Sequence, residues 1–179
     1  MNGKFTLFGR KAGNASYLNA QGIANSGEIV GSLYDAAATL AFSRSAGVNT
    51  PFNQPGQFST VANAVNDSGA IAGTASTLYN GPTHGFLFQS GAFTNIDFPG
   101  ATGSRCLGLN DSGAVVGQYY TSSGLEGSFL YLNGKFTPFA IPFGVITFAQ
   151  GINNQGMVFG NFTTSVPSAA VGFVATPVN

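Results

Sequence analysis

Charge is scarce in this 179-residue chain: only 7% of its residues are Asp, Glu, Lys or Arg, against roughly 25% in an average soluble protein. Six Lys and Arg offset six Asp and Glu, so there is no net charge. Such a surface cannot neutralise a run of phosphates, and nucleic acid is excluded as a partner. Trp is absent, and there is one Cys and one His. A lone Cys106 cannot close an internal disulfide and says nothing of redox compartment. A lone His84 excludes a multi-histidine metal site within one chain. No apolar run approaches the roughly 18 residues of a membrane-spanning helix. Helix formers at helical spacing are also missing, so nothing supports a helix. Met1 is followed by Asn-Gly-Lys rather than a basic and then apolar leader, so no signal peptide is expected in this chain.

What is abundant points the other way. The chain has 26 Gly, 17 Phe and 6 Tyr, and 44% of it is hydrophobic, enough to bury a core and to exclude disorder. Its length fits one domain that needs no covalent staples. Aromatic and β-branched residues in short runs, punctuated by Gly, Pro and Asn, predict many short strands.

The chain repeats itself. Gly22–Gly31, Ala64–Gly73, Gly108–Gly117 and Gly151–Gly160 share one pattern, with central glycines at Gly27, Gly69, Gly113 and Gly156. Phe42, Phe86, Phe129 and Phe173 form a second column. Gly3, Gly47, Gly91 and Gly134 form a third, each followed three residues later by Thr. Pro55, Pro99 and Pro142 form a fourth. All four columns hold one period of about 43 residues. Each unit predicts four strands, the first hairpin closed by an Asn-Asp-Ser-Gly turn and the second by a turn such as Asn133-Gly134. A period in the forties with four strands is the signature of a propeller blade.

The expected fold is therefore all-β: a small β-propeller of four blades, each of four antiparallel strands, in a single domain spanning 1–179. Met1–Phe8 matches Leu132–Phe139, so the chain starts on a fourth strand, and Val171–Thr176 ends it on a third. Residues 1–16 supply the fourth strand of the last blade and a link; blades 1 to 4 occupy 17–52, 53–97, 98–139 and 140–179. Pairing of Gly3–Phe8 with Val171–Thr176 would close the ring. A closed monomer is favoured, with a domain-swapped dimer of eight blades as the alternative.

Three segments carry a resemblance: Thr83-His-Gly-Phe-Leu-Phe88, Phe93–Gly100 and Gly108–Gly117 resemble the HAF-type bacterial extracellular repeat family. That family is named for a His-Ala-Phe triplet, approximated here by His84-Gly85-Phe86, while the other units keep Phe alone. The resemblance covers essentially the whole chain. It implies a bacterial, exported, β-propeller-like protein in the extracellular space or periplasm, and it carries no catalytic motif.

Catalytic signatures are absent: there is no Gly-x-Ser-x-Gly, Walker loop, His-Glu-x-x-His or Cys-x-x-Cys. His84 is the only candidate for a catalytic base, but it sits at a repeat position just before a strand. Cys106 aligns with Ala20, Ala62 and Ala149 and reads as a small core residue. The Asn66-Asp67 and Asn110-Asp111 turns suit tight turns better than calcium. Lys4, Glu28, Arg44, Asp67, Asp111 and Lys135 fall at the turn end of the strands, as solvated charges. Arg10, Lys11, Asp35, His84, Asp97, Arg105 and Glu126 fall at the opposite, loop end, with Tyr34, Tyr79, Tyr119 and Tyr120. Arg105 breaks a column otherwise held by Asn19, Val61 and Phe148, and Asp97 is its candidate ion-pair partner. Gln21, Asn63 and Gln150 recur on the first strand, with Leu107 once, and suit satisfaction of backbone groups between blades.

Ligand-binding candidates are thus Arg10, Asp35, His84, Asp97, Arg105 and Glu126. The leading expectation is a non-catalytic module that binds a small polar ligand or another protein. The competing one is a hydrolase, a lactonase or esterase, whose calcium would be held by Asp35, Asp97 and Glu126.

Overall fold

The computed structural model describes residues 5–9, 17–34, 38–124, 126–165 and 169–177. Among them there is no helix. Unit 1 holds β1 (Tyr17–Ile23), β2 (Ile29–Tyr34), β3 (Thr39–Ser45) and β4 (Val48–Phe52). Unit 2 holds β5 (Ser59–Val65), β6 (Ile71–Ser76), β7 (Thr83–Gln89) and β8 (Ala92–Asn95). Unit 3 holds β9 (Gly103–Leu109), β10 (Val115–Tyr120), β11 (Glu126–Leu132) and β12 (Lys135–Phe139). Unit 4 holds β13 (Ile146–Ile152), β14 (Val158–Thr163) and β15 (Ala170–Ala175). Each unit is an antiparallel meander. A single parallel bridge, Thr39 to Ser59, merges units 1 and 2 into one sheet, so the chain forms three sheets.

Local chemistry sets each turn. In unit 2, Asn66 Oδ1 accepts from the N–H groups of Ser68 and Ala70, closing the first hairpin over Gly69. Asn110 and Asn153 accept in the same way from Ala114 and Met157. The second hairpins turn through Ala46-Gly47, Ser90-Gly91 and Asn133-Gly134, with both residues at positive φ. That is the turn whose twist matches paired strands.

A bulge recurs on the first strand of all four units, where the register skips Gln21, Asn63, Leu107 and Gln150. Opposite it lie Gly31, Gly73, Gly117 and Gly160. A Cβ on any of them would stand about 2 Å from a main-chain oxygen of the first strand. Phe42, Phe86 and Phe129, the residues paired with Gly31, Gly73 and Gly117, are fully buried.

The core lies between units. Val30 and Ala41 pack with Ala62, Val65, Ile71 and Phe86 across units 1 and 2. Ala72 and Ile96 pack with Cys106, Leu109, Val115 and Phe129 across units 2 and 3. Val116 packs with Ala149 and Val158 across units 3 and 4. First strands follow one another in order, β1 on β5, β5 on β9 and β9 on β13.

Here the structure departs from expectation. The series stops at unit 4, with no comparable packing of β13–β15 on unit 1 among the described residues. Phe5–Gly9 lie in no strand, Phe5 and Leu7 are 92% and 96% exposed, and among the described residues β15 pairs only with β14. Phe8 instead lies 4.6 Å from the Arg44 guanidinium, on unit 1. Gly3 and Lys4 lie outside the described residues.

Candidate functional site

The loop end of units 2 and 3 gathers the rare polar groups. The register of β9, β10 and β11 sets Gln118 opposite Arg105, and Tyr120 between Gly103 and Glu126. Two glycines make room for the tyrosines. A Cβ on Gly103 would strike the Tyr120 ring at 2.2 Å, and one on Gly127 would strike the Tyr119 hydroxyl at 2.7 Å. Tyr119 stacks flat on Phe98, with centroids 3.9 Å apart. The Tyr120 hydroxyl hydrogen-bonds Thr83 Oγ1 of unit 2. The Arg105 guanidinium lies 5.6 Å from the Tyr120 ring centroid, a cation–π arrangement.

Two clefts open beside this cluster and share Arg105, Tyr120 and Glu126. The smaller, about 160 Å³, adds Gln118, Tyr119 and Phe148. The larger, about 530 Å³, adds Ser76, Asn80, Gly81 and Thr83. Arg105 and Glu126 are both exposed at the mouth, and no ion pair joins them among the described residues. The combined lining offers a forked cationic donor, a carboxylate acceptor, and phenol, amide and hydroxyl groups.

His84 and Asp97 form a separate pair. His84 Nδ1 lies 3.0 Å from Asp97 Oδ2, while Asp97 Oδ1 accepts from the Gly85 N–H at 3.2 Å. The expected partnership of Asp97 with Arg105 is therefore not made. The Ile96 N–H bonds the Gly85 oxygen and extends the β7–β8 pairing, which delivers Asp97 to His84. Arg105 turns to Tyr120 instead. Cys106 is fully buried beneath this pair. Burial, reinforced by the Asp97 carboxylate, pushes its thiol well above the ordinary value, so it stays a protonated core residue.

Arg10, Lys11 and Asp35 lie outside the described residues. Among the described residues no three of His, Cys, Asp and Glu converge. Asp97 is engaged by His84 and Gly85, and Glu126 stands in the other cluster beside Arg105.

At the turn end, the structure corrects the expectation that charges are merely solvated. Asn66 Nδ2 donates to the Asn110 oxygen, and Asn110 Nδ2 to the Asn153 oxygen, both at 3.1 Å. The Asp67 N–H donates to Asp111 Oδ1, and the Asp111 N–H to Asn154 Oδ1, both at 2.9 Å. Asp67 itself accepts from Asn25 Nδ2 and the Ser26 N–H. The Asn25 amide, helped by the main-chain donors, holds the Asp67 carboxyl below its ordinary value. A side-chain ladder thus runs along all four first turns.

Of the cleft residues, sequence reasoning found Arg105, Glu126 and the tyrosines but missed Thr83, Ser76 and Asn80. Thr83 had one signal: it begins the segment that carries His84. No family model matches the chain, and no curated protein matches it.

Proposed function

We propose that this protein is a non-catalytic binding module of propeller-type blades, and that it takes a small, hydroxyl-rich ligand such as a saccharide at the Tyr120 clefts. One observation carries the reading: Arg105, the residue that breaks its repeat column, converges with Tyr120 and Glu126 on two adjoining clefts at the loop end. Sugars are held by that mixture of aromatic contact with charged and neutral hydrogen-bonding groups. Low charge and Ser/Thr/Asn-rich surfaces suit an exported protein, in keeping with the HAF-type resemblance. The reading of the four units as propeller-type blades rests on their common period of about 43 residues and their four-strand pattern. The hydrolase alternative gains no support from the placement of Asp97 and Glu126, which stand in separate clusters.

The test is a calorimetric titration with saccharide, ester and lactone panels, with and without calcium. Binding of a saccharide without turnover, weakened at least tenfold by Arg105→Ala and by Glu126→Gln, is expected. Calcium-dependent hydrolysis, or binding indifferent to both substitutions, overturns the proposal.

A further inference from the structure

The two ends of the unit series expose surfaces that are buried at every internal junction. On the last unit, Phe159 is 53% exposed, whereas its counterparts Val30 and Val116, and Ala72 between them, are fully buried at junctions. Val174 is 69% exposed, while its counterparts Leu87 and Leu130 pack against the junction cores. On the first unit, Ala20 is exposed where Ala62, Cys106 and Ala149 are fully buried. Ile23 is 69% exposed where Val65 and Leu109 are buried.

Polar groups tell the same story. Asn63 of unit 2 donates to Thr74 Oγ1 and to the Cys106 oxygen of unit 3. Gln150 and Asn161 occupy the equivalent positions in unit 4 and bond each other at 2.8 Å, facing no following unit. At the turns, Asn25 begins a ladder in which Asn66, Asp67, Asn110 and Asp111 also donate forward, and Asn154, at its end, donates back to Asp111 Oδ2. Backbones also meet closely at the junctions: a Cβ on Gly108 would lie 2.8 Å from Gly151 Cα, and one on Gly22 would lie 3.1 Å from Ala64 Cα. At Gly151 the Phe159 ring of the same unit occupies that space, where a Cβ would lie 2.3 Å from Cε1.

We propose that unit 4 of one molecule docks on unit 1 of a second copy, head to tail, rebuilding the junction that joins successive units within the chain. The occupant is specified by the surfaces themselves. Apolar positions on one end, Phe159 and Val174, match apolar positions on the other, Ala20 and Ile23. Because the two surfaces differ, the contact is heterologous and closes into a ring or continues as a filament. This inference does not depend on the Tyr120 clefts.

Light scattering on the full chain at tens of micromolar is expected to give at least twice the chain mass. Ile23→Glu and Phe159→Glu each spoil one end only, on side chains already exposed, so each variant should be a folded monomer with an unchanged circular dichroism spectrum. Mixing the two should restore a 1:1 dimer, since each retains the end its partner has lost. A monomeric wild-type chain overturns the proposal, whether its ends close on each other or stay open. So does a wild-type oligomer that both variants leave intact, or a mixture of monomeric variants that forms no dimer.

Discussion

Asn63 Nδ2 donates to the main-chain oxygen of Cys106, on the next unit, at 2.7 Å. One unit later Leu107 replaces it, and Gln118 reaches across from β10 to the equivalent oxygen of Ala149, at 3.2 Å. The same carbonyl is satisfied at both junctions by a donor from a different strand.

Asn63→Leu should therefore cost about 1–2 kcal/mol, since nothing else in unit 2 takes over the lost bond. Gln150→Leu, which removes a bond only within unit 4, should stay within about 0.5 kcal/mol. Urea denaturation of the two variants checks the contrast, and equal losses would refute it.

The phenylalanine column should be graded by its surroundings. Phe86→Ala and Phe129→Ala empty fully buried sites and should each cost about 3–5 kcal/mol. Phe173 is only partly buried, so Phe173→Ala should cost less than half as much. Chemical denaturation of all three gives the ranking.

Asp67 makes stability depend on pH in a definite direction. Its folded carboxyl titrates below the ordinary value of 3.8. The unfolded chain therefore takes up the proton first as pH falls. The contribution is fully present above about pH 5, and declines as pH passes through 3.8 toward the folded value. Asp67→Asn should remove that part of the acid sensitivity. Melting curves of both proteins from pH 6 to pH 2.5 should converge at the acid end, and parallel curves would refute the assignment.

Ala46 and Ser90 occupy positive-φ positions, at 48° and 51°, where the third hairpin uses Asn133. A side chain without local hydrogen bonding is strained there. Ala46→Asn and Ser90→Asn should each stabilise the chain by about 0.5–1 kcal/mol. A lowered denaturation midpoint would count against the turn geometry.

Much of the fold was legible because its determinants are local. Asn66, Gly69 and Gly113 close turns within a few residues, and each recurrence reinforces the pattern. The Gly73–Phe86 pairing likewise follows from two columns at fixed spacing. What could not be read was reach across units. Asn66 looks like a turn residue and is one, yet its other amide atom bonds Asn110, 44 residues on. The partner of Asp97 depended on the pairing running one residue past β8, which composition does not encode. Arg105 stood out by breaking its column, but the Thr83 hydroxyl that anchors Tyr120 sits in another unit. Ring closure was not legible for a related reason. Matching strand sequences at Met1–Phe8 and Leu132–Phe139 identify what could pair, and leave open which molecule or unit supplies the other edge.

The ladder of first turns has a consequence for the history of the chain. Every rung, from Asn25–Asp67 to Asp111–Asn154, spans one period and touches only the adjacent unit. The buried clusters obey the same nearest-neighbour rule. Gain or loss of a whole unit by gene duplication or deletion would therefore leave the remaining junctions intact, while an insertion of a few residues within a turn would break two. Length in this architecture can therefore grow or shrink by whole units of about 43 residues.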